Sequence, residues 1–389
     1  MFRVNRFNAL LKHFPRALFD RSVRELGADK HRKGFNSWNQ LVAMLYAQLS
    51  GASSLREIEE GFNVQKASHY HLGCQPVHRS TLAEANERSD GRVFQVVAQQ
   101  LMQQAQRSVR QEGVALLQLI DSTSITLKGR GFDAWTAATR TRRTQGVKLH
   151  VSYGLQEQAP IDCLLSAANV NDVAYARGRT VHKGVTYVFD KAYCDYSWWW
   201  QLTQQKARFV SRFKRNAKLL FTGERAIPRN AQGIILRDQQ VLLANRSPRG
   251  GRRNPYSLPL RRIEVAREGK EPLVLVTNDH RSSALRLAAL YKSRWQIELF
   301  FKWIKQHLQL RRFVGRSENA VRIQILCALI AYLLALLYAK ASASCKSLWL
   351  FTSELRGTLF QRPDNERVRH QRWRQQRAEF AMRQGAFLL

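Results

Sequence analysis

Acidic side chains are scarce in this chain: 29 Asp and Glu stand against 63 Lys and Arg, leaving a formal net charge of +34. A surface that is merely soluble needs a net charge of about 2–8. An excess this large points to a polyanionic partner, because each neutralised phosphate releases condensed counterions. Nucleic acid is the first candidate and an anionic membrane surface the second. Cysteine is also sparse. The five (Cys74, Cys163, Cys194, Cys327, Cys345) are odd in number and never form C-x-x-C, which suits free thiols in a reducing cytosol. No low-complexity block or internal repeat occurs, and the first residues, MFRVNRFNALLKHF, hold no apolar signal core, so a cytoplasmic location is expected. Long apolar runs are confined to Ile323–Ala339, IQILCALIAYLLALLYA, broken only by Gln324. That length is at the lower limit for crossing a bilayer core of about 30 Å. A helix apolar on every side is equally the central helix of a large core, and this is the reading preferred for so basic a chain.

What is present divides along the chain. Residues 1–110 read as helical. Ser37–Leu49 has amphipathic spacing and stops at Ser50-Gly51; Ser54-x-x-Glu57 then reads as a capping box, and Thr81-x-x-Glu84 as a second one opening a helix toward Arg107. Helix, glycine turn and helix is compatible with a DNA-binding helix-turn-helix. From Val114 the texture turns to strands: ALLQLID with SITL, Val147–Leu155, Ile161–Ala167, Val185–Phe189 and Phe209-Val210. A meander followed by strands alternating with helices predicts a mixed α/β sheet. Residues 214–272 interrupt it with Arg, Gly and Pro (SPRGGRRNPYSLPLRR) and the short runs IILR, VLLA and RRIEV, a β-rich insertion. Leu273–Val276 resumes the core, Ser283–Leu310 is expected as one helix, and Arg367–Arg383 is a basic tail.

Asp121 and Asp190 each close an apolar strand run. A strand end places a carboxylate at the rim of a sheet, where loops leave room for a ligand, although Asp is also common in ordinary turns. Glu298 adds geometry. With Tyr291 at zero and about 100° per residue, Arg294 falls near about −60°, Glu298 near about −20°, Lys302 near about +20° and Lys305 near about −40°. Leu290, Ile297, Phe300, Phe301, Ile304 and Leu308 lie to one side, as a face packing on the sheet. A narrow cationic stripe with one acid at its centre suits an anionic substrate around a metal ligand better than a solvated charge face. Three carboxylates can hold two divalent ions about 3.5–4 Å apart. Oxygen donors of this kind favour Mg2+ or Mn2+, with Arg294 binding phosphate by its fork and Lys305 as a point charge.

Tyr291-x2-Arg294-x3-Glu298-x6-Lys305 resembles the Y-R-E-K signature of the insertion-sequence-4 family of bacterial DDE transposases. The surroundings are similar as well: IDSTSI at Asp121, FDKAYCDY at Asp190, LYKSRWQIELFFKWIKQHLQLRRFVGRSENAVRIQI at Glu298, and the N-terminal FNSWNQLVAMLYAQLSGASSLREI and YHLGCQPVHRSTLAEANER. The resemblance implies an α/β fold with a ribonuclease-H-like mixed sheet flanked by helices, a β-rich insertion and an N-terminal helical domain. The corresponding domains are 1–110 (helical, DNA-binding), 111–213 with 273–345 (catalytic core), 214–272 (insertion) and 346–389 (basic C-terminal segment). It further implies that Asp121, Asp190 and Glu298 are the catalytic metal ligands for Mg2+ or Mn2+. Tyr291, Arg294, Lys302 and Lys305 then grip double-stranded DNA, and a homodimer cuts and joins transposon ends. The alternative is an inactive relative that only binds DNA. Asn171-Asp172 stands where relatives often show His-Asp, and WTAATRTRRTQGVKLH keeps the K-L-H ending. Some members stack a flipped base on an aromatic of the insertion, where this chain offers Phe221 and Tyr256.

Two further clusters are assigned to packing. His69, His71, Cys74 and His78 fit no zinc spacing. Trp198-Trp199-Trp200 cannot share one helical face, so at least one belongs to the core. Trp295 and Trp303 are likewise expected to pack.

Overall fold

The computed structural model describes residues 5–107, 116–142, 144–244, 254–307 and 312–363. The expected helix end at Leu308–Leu310, the Arg- and Gly-rich stretch at 245–253 and the tail Arg367–Arg383 lie outside the described residues. The chain forms two compact units, Met1–Leu101 with Trp303–Leu389, and Met102–Lys302.

Among its described residues the first unit is helical. Its centre is the helix Glu318–Ala341, packed by the helices Arg6–Leu11, Ser37–Ser50, Arg79–Arg88 and Leu348–Thr358. By length and composition this helix could cross a membrane, yet 89% of its most apolar stretch is buried within the protein. A helix apolar all round is covered all round. Gln324, the polar break in that run, is 1% exposed; its Oε1 accepts from Val314 N at 3.0 Å and its Nε2 donates to Arg312 O at 3.1 Å. The buried amide is thereby satisfied by the backbone of a non-helical segment. Ser37–Ser50 is not amphipathic in place: every residue from Ser37 to Leu49 is buried. Ser54 caps Glu57 N as expected, but the Glu57 carboxylate reaches back to Ser53 N rather than Ser54 N.

The helix expected from Thr81 to Arg107 is two, Arg79–Arg88 and Gly91–Arg107, and its first cap residue is His78. Ser89 is extended, and Asn319 Nδ2 reaches the carbonyls of Asn86, Glu87 and Ser89 at 2.8–3.2 Å. Those carbonyls would have been helix acceptors, so a partner from the far end of the chain stabilises the break.

The second unit is built on one sheet of nine strands. They are β1 (Leu117–Thr126), β2 (Gly146–Gly154), β3 (Ala159–Ala167), β4 (Thr186–Phe189), β5 (Arg208–Arg212), β6 (Leu219–Glu224), β7 (Ile235–Leu243), β8 (Leu260–Arg267) and β9 (Lys270–Thr277). Their order across the sheet is β3-β2-β1-β4-β5-β9-β8-β7-β6. β1–β3 form an antiparallel meander, β4 and β5 run parallel to β1, and the rest are antiparallel. IILR and VLLA, read as separate runs, belong mostly to the single strand β7, and β8 joins β9, so the inserted strands extend the same sheet. In the helix Tyr196–Gln204, Trp198 and Trp199 are buried against Phe189 and Phe209, while Trp200 is partly covered.

Two substitutions probe these contacts. Gln324→Leu removes the side-chain partners of Val314 N–H and Arg312 C=O, both in part-buried bonds, and a cost of about 1 kcal/mol for each bond is expected. Thermal denaturation should show a lower midpoint; an unchanged one would mean the amide is dispensable. Gly146 has φ +141°, and a Cβ there would lie 2.2 Å from Ile125 O and 2.8 Å from Leu127 N. Both obstacles are backbone, so Gly146→Ala should destabilise the second unit by at least about 2 kcal/mol in denaturant unfolding.

Candidate active site

The register of two parallel strands sets the first two acids. Ile120 pairs with Phe189, so the next residues, Asp121 and Asp190, stand at the same level of the sheet. β4 stops there, while β1 continues, paired with β2 from Asp121↔Val151 to Thr126↔Gly146. The shorter strand opens space beside the longer one. Asp121 Oδ1 accepts from Ser122 N at 2.8 Å, and Asp190 Oδ1 from Lys191 N at 2.6 Å.

The single helix expected from Ser283 is divided into Ala284–Ser293 and Trp295–His307, joined at Arg294. Arg294 N donates to Tyr291 O and Ile297 N to Arg294 O, three-residue bonds that wind the chain tightly at the junction. From there Arg294 Nη1 reaches Asp121 Oδ2 at 3.3 Å and Nη2 reaches Glu298 Oε1 at 2.6 Å. One guanidinium thus bridges two acids from distant parts of the chain. Its Nε is buried without an acceptor among the described residues.

The cationic stripe is less uniform than the helical wheel predicts. Tyr291 is only 8% exposed, and burial, with Asp190 next, pushes its phenol pKa up, against the pull of Arg294 and of Arg212 at the end of β5. Lys302 is exposed, and Lys305 is partly buried and belongs to the other unit. Ile297, Phe300, Phe301 and Ile304 are buried, as is Trp303, but Trp295 is 58% exposed and is not a packing residue. Of the two aromatics between 214 and 272, Phe221, in β6, is exposed, and Tyr256, in the segment before β8, is buried.

Burial pushes the Asp121 carboxyl up to about 6; Ser122 N–H and Arg294 oppose this, while Asp190 and Glu298 add to it. Asp121 therefore feels the charge of both other acids. As the side chains stand, no group of three His, Cys, Asp or Glu among the described residues is arranged to hold a metal ion. Arg294 stands between two of the acids instead. The donor chemistry nevertheless fits a hard divalent cation: three carboxylates, one of them short of compensating positive charge.

Sequence reasoning missed a second acidic cluster that supports Asp121. Asp172 accepts from Ser122 Oγ at 2.7 Å and lies 3.2 Å from Lys148 Nζ and 3.6 Å from His150 Nδ1. His150 is fully buried, stacks on Tyr175, and has its pKa lowered to about 4 by burial against the pull of Asp172. The signals were present in Asn171-Asp172 and in Lys148-Leu149-His150 near the start of β2, but nothing local joined them to Ser122. Arg212 could have been found as the residue after a strand run, like the two aspartates.

The family described as transposase DDE domain matches residues 112–334, and a domain of unknown function matches residues 5–75. A Sinorhizobium fredii protein assigned as a transposase, y4zB, is 41% identical over 286 residues, covering 73% of this chain and 78% of its own. The protein assigned as transposase of insertion sequence element IS5377 from Geobacillus stearothermophilus is 29% identical over 219 residues, 56% of this chain and 55% of that one. Among solved structures, a piggyBac transposase synaptic complex with hairpin DNA aligns with a TM-score of 0.46 at 12% identity, over 90% of this chain and 79% of that one. The matched region spans more than half of the chain and includes Asp121, Asp190 and Glu298, and the chain belongs to the transposase DDE domain family.

Proposed function

We propose that this transposase binds the terminal inverted repeats of an insertion sequence of the insertion-sequence-4 group, cuts the DNA at each end and joins the 3′-OH ends to a target. The observation that carries the reading is the convergence of Asp121 and Glu298 on Arg294, with Asp190 one strand away at the same level. In this reading Asp121, Asp190 and Glu298 hold Mg2+ or Mn2+. Such ions activate a water or 3′-hydroxyl and stabilise the leaving oxygen of a phosphodiester.

The chain's own residues position and neutralise. Arg294 balances the acids before DNA arrives, and its planar fork then suits a phosphate oxygen of the bound strand. Lys302 and Lys305 supply point charges to the backbone. Tyr291, whose ring lies 5.9 Å from the Arg294 guanidinium, joins it in gripping the DNA end. The Ser122–Asp172 bond anchors β1 immediately beside Asp121. A ribonuclease-H-like core is supported by the β1–β3 meander joined to parallel β4 and β5. Residues 1–110 and the inserted strands recognise the ends, and a homodimer holds two ends together.

Replacing Asp121, Asp190 or Glu298 by Ala is expected to lower Mg2+-dependent cutting of an end-bearing duplex by at least about 100-fold, while binding of that duplex persists. Cutting that survives all three changes would refute the assignment. Binding by the wild type with no cutting in Mg2+ or Mn2+ would identify the inactive, DNA-binding alternative.

A further inference from the structure

β1 and β2 do not end at the acids. They run on as a hairpin, paired to Thr126↔Gly146, after β4 has stopped. At about 3.3 Å per residue the hairpin tip begins roughly 16 Å beyond Asp121. Among the described residues the tip, 127–142 with 144–145, is a folded cap. Thr136 is fully buried and its Oγ1 donates to Phe132 O at 2.9 Å; Gln145 Nε2 donates to Thr136 Oγ1 at 3.0 Å and also to Asp133 Oδ1. Leu127 N donates to Gln145 O at 2.9 Å, closing the base, and Thr144 N to Thr141 Oγ1 at 2.9 Å, closing a turn.

This cap presents charge of one sign. Lys128, Arg130, Arg140 and Arg142 are exposed. Asp133 is the only acid between 127 and 145, and it is engaged by Gly129 N–H and Gln145. Cations on an ordered platform lose less freedom on meeting a polyanion than cations on a loose loop. Nothing in the cutting chemistry uses them.

We propose that the β1–β2 hairpin is a docking arm for duplex DNA, with Lys128, Arg140 and Arg142 binding backbone phosphates about five base pairs along from the phosphate held at Asp121. The proposal rests on the function proposed above and adds a DNA-binding surface to it. The arm touches phosphate, so it sets register and affinity and does not read sequence.

The test is a salt titration of the full chain binding a fluorescein-labelled 30-base-pair duplex, without divalent metal. Every phosphate that a variant leaves unneutralised should reduce the slope of log K against log salt by about 0.9. The triple variant K128Q/R140Q/R142Q is therefore expected to lose a slope of about 2–3 and to bind at least about tenfold more weakly at physiological salt. Each single variant should lose roughly a third of that slope. K183Q/K206Q, at the opposite ends of the strands, should keep the wild-type slope. A triple variant with the wild-type slope overturns the proposal, while the function stands or falls separately on the Asp121, Asp190 and Glu298 variants. If the wild type shows no salt-dependent binding to duplex, both fall.

Discussion

Carboxylates gathered at one corner of a sheet repel one another, and Arg294 is the counter-charge that lets this corner exist. Two unit charges 4 Å apart interact by about 4 kcal/mol at an effective dielectric constant near 20. Burial already holds Asp121 toward its neutral form, and Asp190 and Glu298 push it further. A guanidinium reaching both Asp121 and Glu298 offsets part of that cost. Its placement requires the tight junction between two helices that local pattern reads as one. A straight helix through this point would change the approach of Arg294 to the strand end.

The sheet supplies the other half of the geometry. β1 lies between an antiparallel and a parallel neighbour, so its far end is supported by β2 alone and borders open space on the β4 side. Asp121 sits where that change occurs. Behind it, Ser122 is tied to Asp172, which also faces Lys148 and His150 of β2. The polar cluster couples the two strands at the acid, and the hairpin that continues from them carries a cationic cap. The first unit solves a different problem: a helix with no polar face is enclosed by other helices, and the buried amide of Gln324 bonds backbone groups of the preceding segment.

Local pattern disclosed the strands around the acids because each begins as a short apolar run, although β4 stops before Asp190 while β1 runs on past Asp121. Residue spacing alone brought Tyr291, Arg294, Glu298 and Lys305 into one frame, although Tyr291 is turned inward by packing that no periodicity reveals. Breaks were the hardest features to read. Ser89-Asp90 interrupts a helix whose end is bonded by Asn319, more than two hundred residues away. Asp172 was visible as a residue but not as the partner of Ser122, since the two meet only when β1 and the segment after β3 are folded together.

By itself the sequence determined the charge excess, the aspartates that follow apolar runs, the Glu298 motif and the apolar helix, all of which are properties of composition and short-range spacing; that β1 runs on past Asp121 to Thr126 was not among them. Tertiary structure alone decided which carboxylates meet Arg294, which side of the Tyr291 helix faces inward and how the inserted strands join one sheet. It also decided that the basic segment after β1 is a pinned cap. Those outcomes depend on register and burial between residues far apart in the chain, where no local energy term distinguishes one pairing from another.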